Sequence, residues 1–331
     1  MVGFGDFEPL CTNTPSYPWC NLFYRQLQRT NNTDIFQNLS ANSISAPVGI
    51  NPKCGIERLH QDGSLGNIAN IAACGVSFLV VAGLIFLCER RKAAVGRIEL
   101  RTFLMLYLFT LPLQLVTTGS FLQQGSTALI AVTAVHVGAV VALFWSLLAN
   151  GLVATQIVED GTLASLVPFG IFTLITLGVG IYISLDIALG VTTVIGGVSK
   201  PPQALTSIAL FVLTSIWPAV ADIYEYSSGP PTFAFSTNFP CAIIYFLIMT
   251  YIVLRVLNET RPMWYYILSA ALFVLAQLAW LLLGKTICNG SNMKIDGSFI
   301  ATILETASVG VLFLAWKSIT EESWDDEYYP S

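Results

Sequence analysis

Two long apolar runs, about residues 66–88 and 102–122, flank a short basic segment, Glu89–Arg101. That segment holds five of the fifteen Lys and Arg residues: Arg90, Arg91, Lys92, Arg97 and Arg101. A run of about 20 residues almost free of charge is long enough to cross hydrocarbon as a helix, which satisfies its own backbone there. Short basic loops between such runs stay cytoplasmic, because Lys and Arg resist translocation. The segment therefore fixes the orientation of the chain. The N-terminus is expected to face the lumen or the outside, and every later loop takes its side by counting crossings.

Composition supports the same class. The 331 residues are 54% hydrophobic and 11% charged, with mean hydropathy +0.68, whereas soluble domains carry about 25% charged residues. The fold class is all-α: a polytopic membrane helix bundle. The net charge of −5 comes with no basic face for nucleic acid, so the lipid bilayer and other membrane proteins are the expected partners. Residues 1–23 lack a continuous apolar core, and the first span is expected to serve as the insertion signal.

Residues 1–65 read as a lumenal or extracellular segment, rich in Asn, Pro and Ser. It carries Cys11, Cys20 and Cys54 and two glycosylation sequons, at Asn31 and Asn38. Residues 66–317 read as the membrane domain, with spans at about 66–88, 102–122, 127–158, 166–189, 239–257, 263–283 and 298–316. An eighth apolar segment, 204–223, precedes the breaker run Ser227–Pro231. Residues 318–331 form an acidic tail.

Parity decides between seven and eight crossings. Cys74, Cys88 and Cys241 lie in or beside apolar runs and read as small apolar residues. Cys11, Cys20, Cys54 and Cys288 lie in polar segments, and an even set in an oxidising compartment favours pairing. Seven crossings put all four in the lumen, together with the sequon at Asn289, and leave Arg255, Arg261 and the tail cytoplasmic. Segment 204–223 is then a re-entrant or surface-lying insertion. Which cysteine pairs with which stays open.

Ionisable groups at bilayer depth are costly and point to function. The candidates are His136, Asp186 and Glu305, with Gln114, Asn150, Gln156 and Gln277 as neutral polar neighbours. The plainer account is interhelical hydrogen bonding, worth on average about 0.6 kcal/mol each. No catalytic motif, nucleotide-binding loop or metal-ligand cluster is present, and His60 and His136 are the only histidines. No enzyme activity and no cofactor are expected. In the tail, Asp325, Asp326 and Glu327 read either as a solvated acidic end or as an export signal for a vesicle-coat adaptor.

With these residues in view the chain resembles the fungal chitin synthase export chaperone family. The likeness runs from Phe4–Phe7, Cys11 and Pro18-Trp19-Cys20, through Ala94–Glu99, Asn150–Val153 and Glu159–Thr162. It continues with Thr286-Ile287-Cys288, Asp296–Ile303 and Trp316–Thr320. The resemblance implies a seven-span protein of the endoplasmic reticulum membrane that helps a chitin synthase fold and leave in vesicles. It also allows passage to the plasma membrane together with that client. Residues after Cys54 and in the turn Thr117–Gln124 depart from the family pattern, which leaves an escort of a different membrane client as an alternative. A seven-helix receptor and a transporter are the alternatives from other classes.

Overall fold

The computed structural model describes residues 11, 16–29, 66–91, 94–156, 161–192 and 241–325. Segment 204–223, Cys54, Asn31, Asn38, Asp326 and Glu327 lie outside them. Among the described residues the chain forms nine helices: α1 (Cys20–Arg29), α2 (Ile68–Arg90), α3 (Arg97–Thr118), α4 (Thr127–Ala154), α5 (Leu163–Leu189), α6 (Cys241–Tyr251), α7 (Arg261–Leu281), α8 (Gly284–Gly290) and α9 (Gly297–Asp325).

Six of these, α2–α5, α7 and α9, are long and apolar enough to cross a membrane. Of the expected span at 239–257, the part from Cys241 on is described. It consists of α6 and a π-helical turn, Ile252–Val256, in which Leu257 N donates to Ile252 O at 2.9 Å.

Two boundaries differ from expectation. The third span stops at Ala154 in a turn where Gln156 has φ +57°, instead of continuing as helix to 158. The last helix does not end near 316. It continues to Asp325, so the acidic tail begins as helix.

Side-chain contacts fix the sense of each helix. The Trp316 indole donates to Val95 O at 2.9 Å, so α9 ends beside the basic loop. At the other end, Asn67 Nδ2 donates to Ser298 Oγ at 3.0 Å, joining the starts of α2 and α9. α7 runs antiparallel to α9, since Ser269 pairs with Ser308 and Gln277 with Glu305. Buried Glu99, in the first turn of α3, accepts from Gly161 N and Ser165 Oγ, both at 3.2 Å. A carboxylate there satisfies free donors at the start of α5 and suits the positive end of its dipole. α5 therefore starts at the basic-loop end and finishes at the far end. α6 leads directly into α7 at the basic-loop end, so the described helices alternate in direction.

The basic loop itself turns through Gly96, at φ +69°, a conformation that costs a residue with Cβ. Arg97 and Arg101 both pair with Glu89 across it. The groups are partly exposed, so these ion pairs add little to stability.

The N-terminal segment is not merely a polar extension. A disulfide joins Cys11 to Cys20, where α1 begins. Leu22, Phe23 and Leu27 of α1 are buried in one cluster with Ile130, Val137 and Val141 of α4 and Ile187 and Ala188 of α5. Asn21 Nδ2 donates to Thr117 O and Thr133 Oγ1, both at 3.3 Å. α1 thus caps the far end of the bundle by apolar packing and by a buried polar clasp.

Candidate functional site

Beneath that cap lies a partly open cavity of about 370 Å³, lined by α3, α4, α6, α7 and α9. Tyr17, Pro18 and Trp19 form its roof. Tyr17 lies edge-to-face on Trp280 of α7, with ring centroids 5.8 Å apart. Trp19 lies edge-to-face on His136 of α4, at 5.3 Å. Such pairs add about 0.5–1.5 kcal/mol beyond area burial. They tie the roof to two different helices.

The polar residues of the cavity gather toward the roofed end. Glu305 of α9 accepts at Oε1 from the Trp280 indole, at 3.2 Å, and from Gln277 Nε2, at 3.3 Å. His136 Nδ1 meets Thr117 Oγ1 at 3.4 Å. Gln114 Nε2 donates to Thr302 Oγ1 at 2.8 Å. From Thr302 the network continues to Asn70 at 2.9 Å, and from Asn70 to Thr118 at 3.0 Å, joining α2, α3 and α9. A second polar contact nearer the middle connects Tyr107 to Thr306, at 2.9 Å, and Thr306 to Ser77, at 2.8 Å. Toward the basic-loop end the walls are apolar and aromatic, including Phe103, Leu147, Phe246 and Leu312.

Of the three intramembrane candidates, His136 and Glu305 share this cavity, yet each is held by its own partners and they do not bond each other. Asp186 stands apart. It is buried at the end of α5, where its Oδ1 accepts from Thr192 N just beyond the helix. Gln114 and Gln277 line the cavity, whereas Asn150 lies against the turn at Gly96.

Cys288 lies buried in α8 at the far end and is disulfide-bonded. Asn289 beside it is exposed, and Ser291 of the same sequon bonds to Ile295 O and N, closing the turn into α9. Asp296, just before α9, is buried and accepts from Ser298 N at 3.2 Å and from the Ser298 hydroxyl. Burial pushes its carboxyl up to about 6 against the pull of those hydrogen bonds. Cys74, Cys88 and Cys241 are free thiols. Asp325 ends α9. Among the described residues no three His, Cys, Asp or Glu side chains converge as a metal site.

Sequence reasoning missed Tyr17, Trp19 and Trp280 as site residues, and Asn21, Asn70 and Glu99 as clasps. A signal existed for α1: Leu22, Phe23, Gln26 and Leu27 recur at helical spacing and are all buried. No comparable signal marked Trp280, one aromatic in an apolar run.

The family model described as "Chitin synthase export chaperone" matches residues 3–227 and 232–328. A chitin synthase export chaperone of Gibberella zeae is 26% identical over 323 residues, covering 97% of this chain and 84% of the relative. That of Emericella nidulans is 25% identical over 326 residues, with the same coverage. One from Cryptococcus neoformans var. neoformans is 26% identical over 248 residues, covering 75% and 61%. No solved structure matches the chain. The matched residues include both the N-terminal cap and the helices around the cavity, and the chain belongs to the chitin synthase export chaperone family.

Proposed function

We propose that this chain is a membrane-embedded escort that helps a chitin synthase fold and leave the endoplasmic reticulum. The observation that carries the reading is the family match across nearly the whole chain. The escort acts by binding, with polar side chains such as Asn21, Asn70 and Gln114 holding helices and cap together. Its membrane placement is supported by six helices of spanning length and by the basic loop at one end of the bundle. Purification of the full chain in mild detergent tests the reading. A polytopic chitin synthase should come with it in stoichiometric amount. Recovery of a signalling protein instead would favour a receptor, and recovery of the chain alone would favour a transporter.

Two features of the lumenal and cytoplasmic ends belong to this proposal. Cys288 is bonded, Cys11 is joined to Cys20, and Cys74, Cys88 and Cys241 are free, so Cys54 is the remaining cysteine of the seven. The proposed second disulfide, Cys54–Cys288, would fasten the N-terminal segment to the turn before α9. Thiol labelling of the unreduced, denatured chain should modify three cysteines; labelling of Cys54 or Cys288 would remove this link. At the other end, Asp325, Asp326 and Glu327 are proposed to be read by a vesicle-coat adaptor. Replacing all three by Asn or Gln should slow export, and unchanged export would leave them as a solvated end.

A further inference from the structure

The cavity is a partly open cleft of about 370 Å³ between the helices. It is also polarised. On α4 it extends from His136 to Leu147, and on α3 from Gln114 to Phe103, eleven positions apart in each case and about 16 Å along the helix axis. Its roofed end offers Glu305, Gln277, His136 and Gln114, while its other end is mainly aromatic and aliphatic, with the mutually paired Ser269 and Ser308 and the hydroxyls of Tyr245 and Tyr266 as its polar groups. That is the shape and polarity of a slot for one amphipathic molecule, head toward the cap and body toward the bilayer midplane.

The head can be specified further. Both donors to Glu305 engage Oε1, so among the described residues no donor reaches Oε2. Glu305 is only partly buried, and it lines the cavity. None of the described lining residues is Lys or Arg, so a carboxylate or phosphate head would face a carboxyl group with no cation to pair with. A hydroxyl can donate to Glu305 Oε2 and accept from a neighbouring amide or imidazole N–H. The body would lie against the paired rings of Phe144 and Phe273, whose centroids are 5.8 Å apart.

We propose that this cavity binds one uncharged, hydroxyl-headed lipid, with its hydroxyl on Glu305 and its apolar body beside Phe144 and Phe273. A sterol and a long-chain alcohol share this chemistry. The site does not depend on the escort reading, and it can be tested on the purified chain without a client.

The test uses three clickable photoreactive probes on the full chain in detergent: a sterol, an alkyl alcohol and a fatty acid. The sterol or the alcohol should label peptides of α4, α7 and α9 saturably, near one per chain, with competition by its unlabelled counterpart. Whichever of the two does so names the source. The fatty acid should label these peptides at least tenfold less. Ala270, on the cavity wall, allows a blocking variant, Ala270→Phe, which should reduce labelling about tenfold. Glu305→Leu should reduce it several-fold, each variant being compared as a monodisperse preparation. Mapping on the unmodified chain decides the matter even where a variant does not fold. Labels confined to the outward faces of α2 and α5, equal labelling of the cavity by the fatty acid, or no saturable labelling would overturn the proposal.

Discussion

α4 and α5 are neighbours of similar length and nearly equal hydropathy, yet 67% of the apolar stretch of α4 is buried inside the protein against 17% for α5. Hydropathy does not separate them, because in a bilayer an apolar side chain is as content against lipid as against protein. Small and polar residues do. The buried positions of α4 include Thr133, His136, Gly138, Ser146 and Gly151. α5 buries a narrow stripe, Ser165, Phe169, Thr173, Gly180 and Ser184, and turns Val167, Ile171, Leu174 and Ile175 outward. The two stripes meet where Gly180 faces Gly138: a Cβ on Gly180 would lie 2.8 Å from Gly138 Cα. In these two helices, small and polar residues single out the buried face, while apolar residues occupy both the buried and the outward faces.

The sharpest way to break this comparison is at that crossing. A Cβ on Gly138 would lie 2.6 Å from Leu177 O and 2.7 Å from Ile181 Cγ1, whereas one on Gly178 would meet nothing within 4 Å. Gly138→Leu should lose stability at or above the top of the roughly 1–3 kcal/mol range for overpacking. Gly178→Leu should leave the melting temperature in detergent nearly unchanged. Equal effects would contradict the inside–outside assignment.

A smaller effect is expected from the polar network. Asn70 links α2 to Thr118 and Thr302. Asn70→Leu should cost about 1 kcal/mol, two interhelical hydrogen bonds at about 0.6 each. The polar-to-apolar change raises hydropathy, so a prediction from hydropathy alone has the opposite sign. Thermal unfolding in detergent distinguishes the two.

A pH-dependent effect is expected at Asp296. Its carboxyl is raised from the ordinary 3.8 to about 6 by burial, so the folded protein keeps a proton that the unfolded chain releases. Stability should therefore fall as pH rises from about 4 to 6 and stay level above that. Asp296→Asn should flatten this segment of the profile; an unchanged slope would assign it to another group.

The long apolar helices were legible because uncharged runs of about 20 residues have few other uses. The family was legible from short collinear runs such as Ala94–Glu99 and Asp296–Ile303. Glu99, first noted as part of such a run, turns out to hold the start of α5 through Gly161 and Ser165. The cavity was not legible. Its lining comes from six sequence regions, and nothing in the chain records that Trp19, Gln114, His136, Trp280 and Glu305 converge. The cap was obscured for a different reason. α1 is a ten-residue helix inside a polar segment, too short to be apparent from composition.

The most direct test of the central claim is deletion of this gene in its host, followed by tracking of tagged chitin synthases. The account predicts that at least one synthase is retained in the endoplasmic reticulum while unrelated membrane proteins leave normally, and that the intact chain restores its export. Normal export of every chitin synthase in the deletion strain would contradict it.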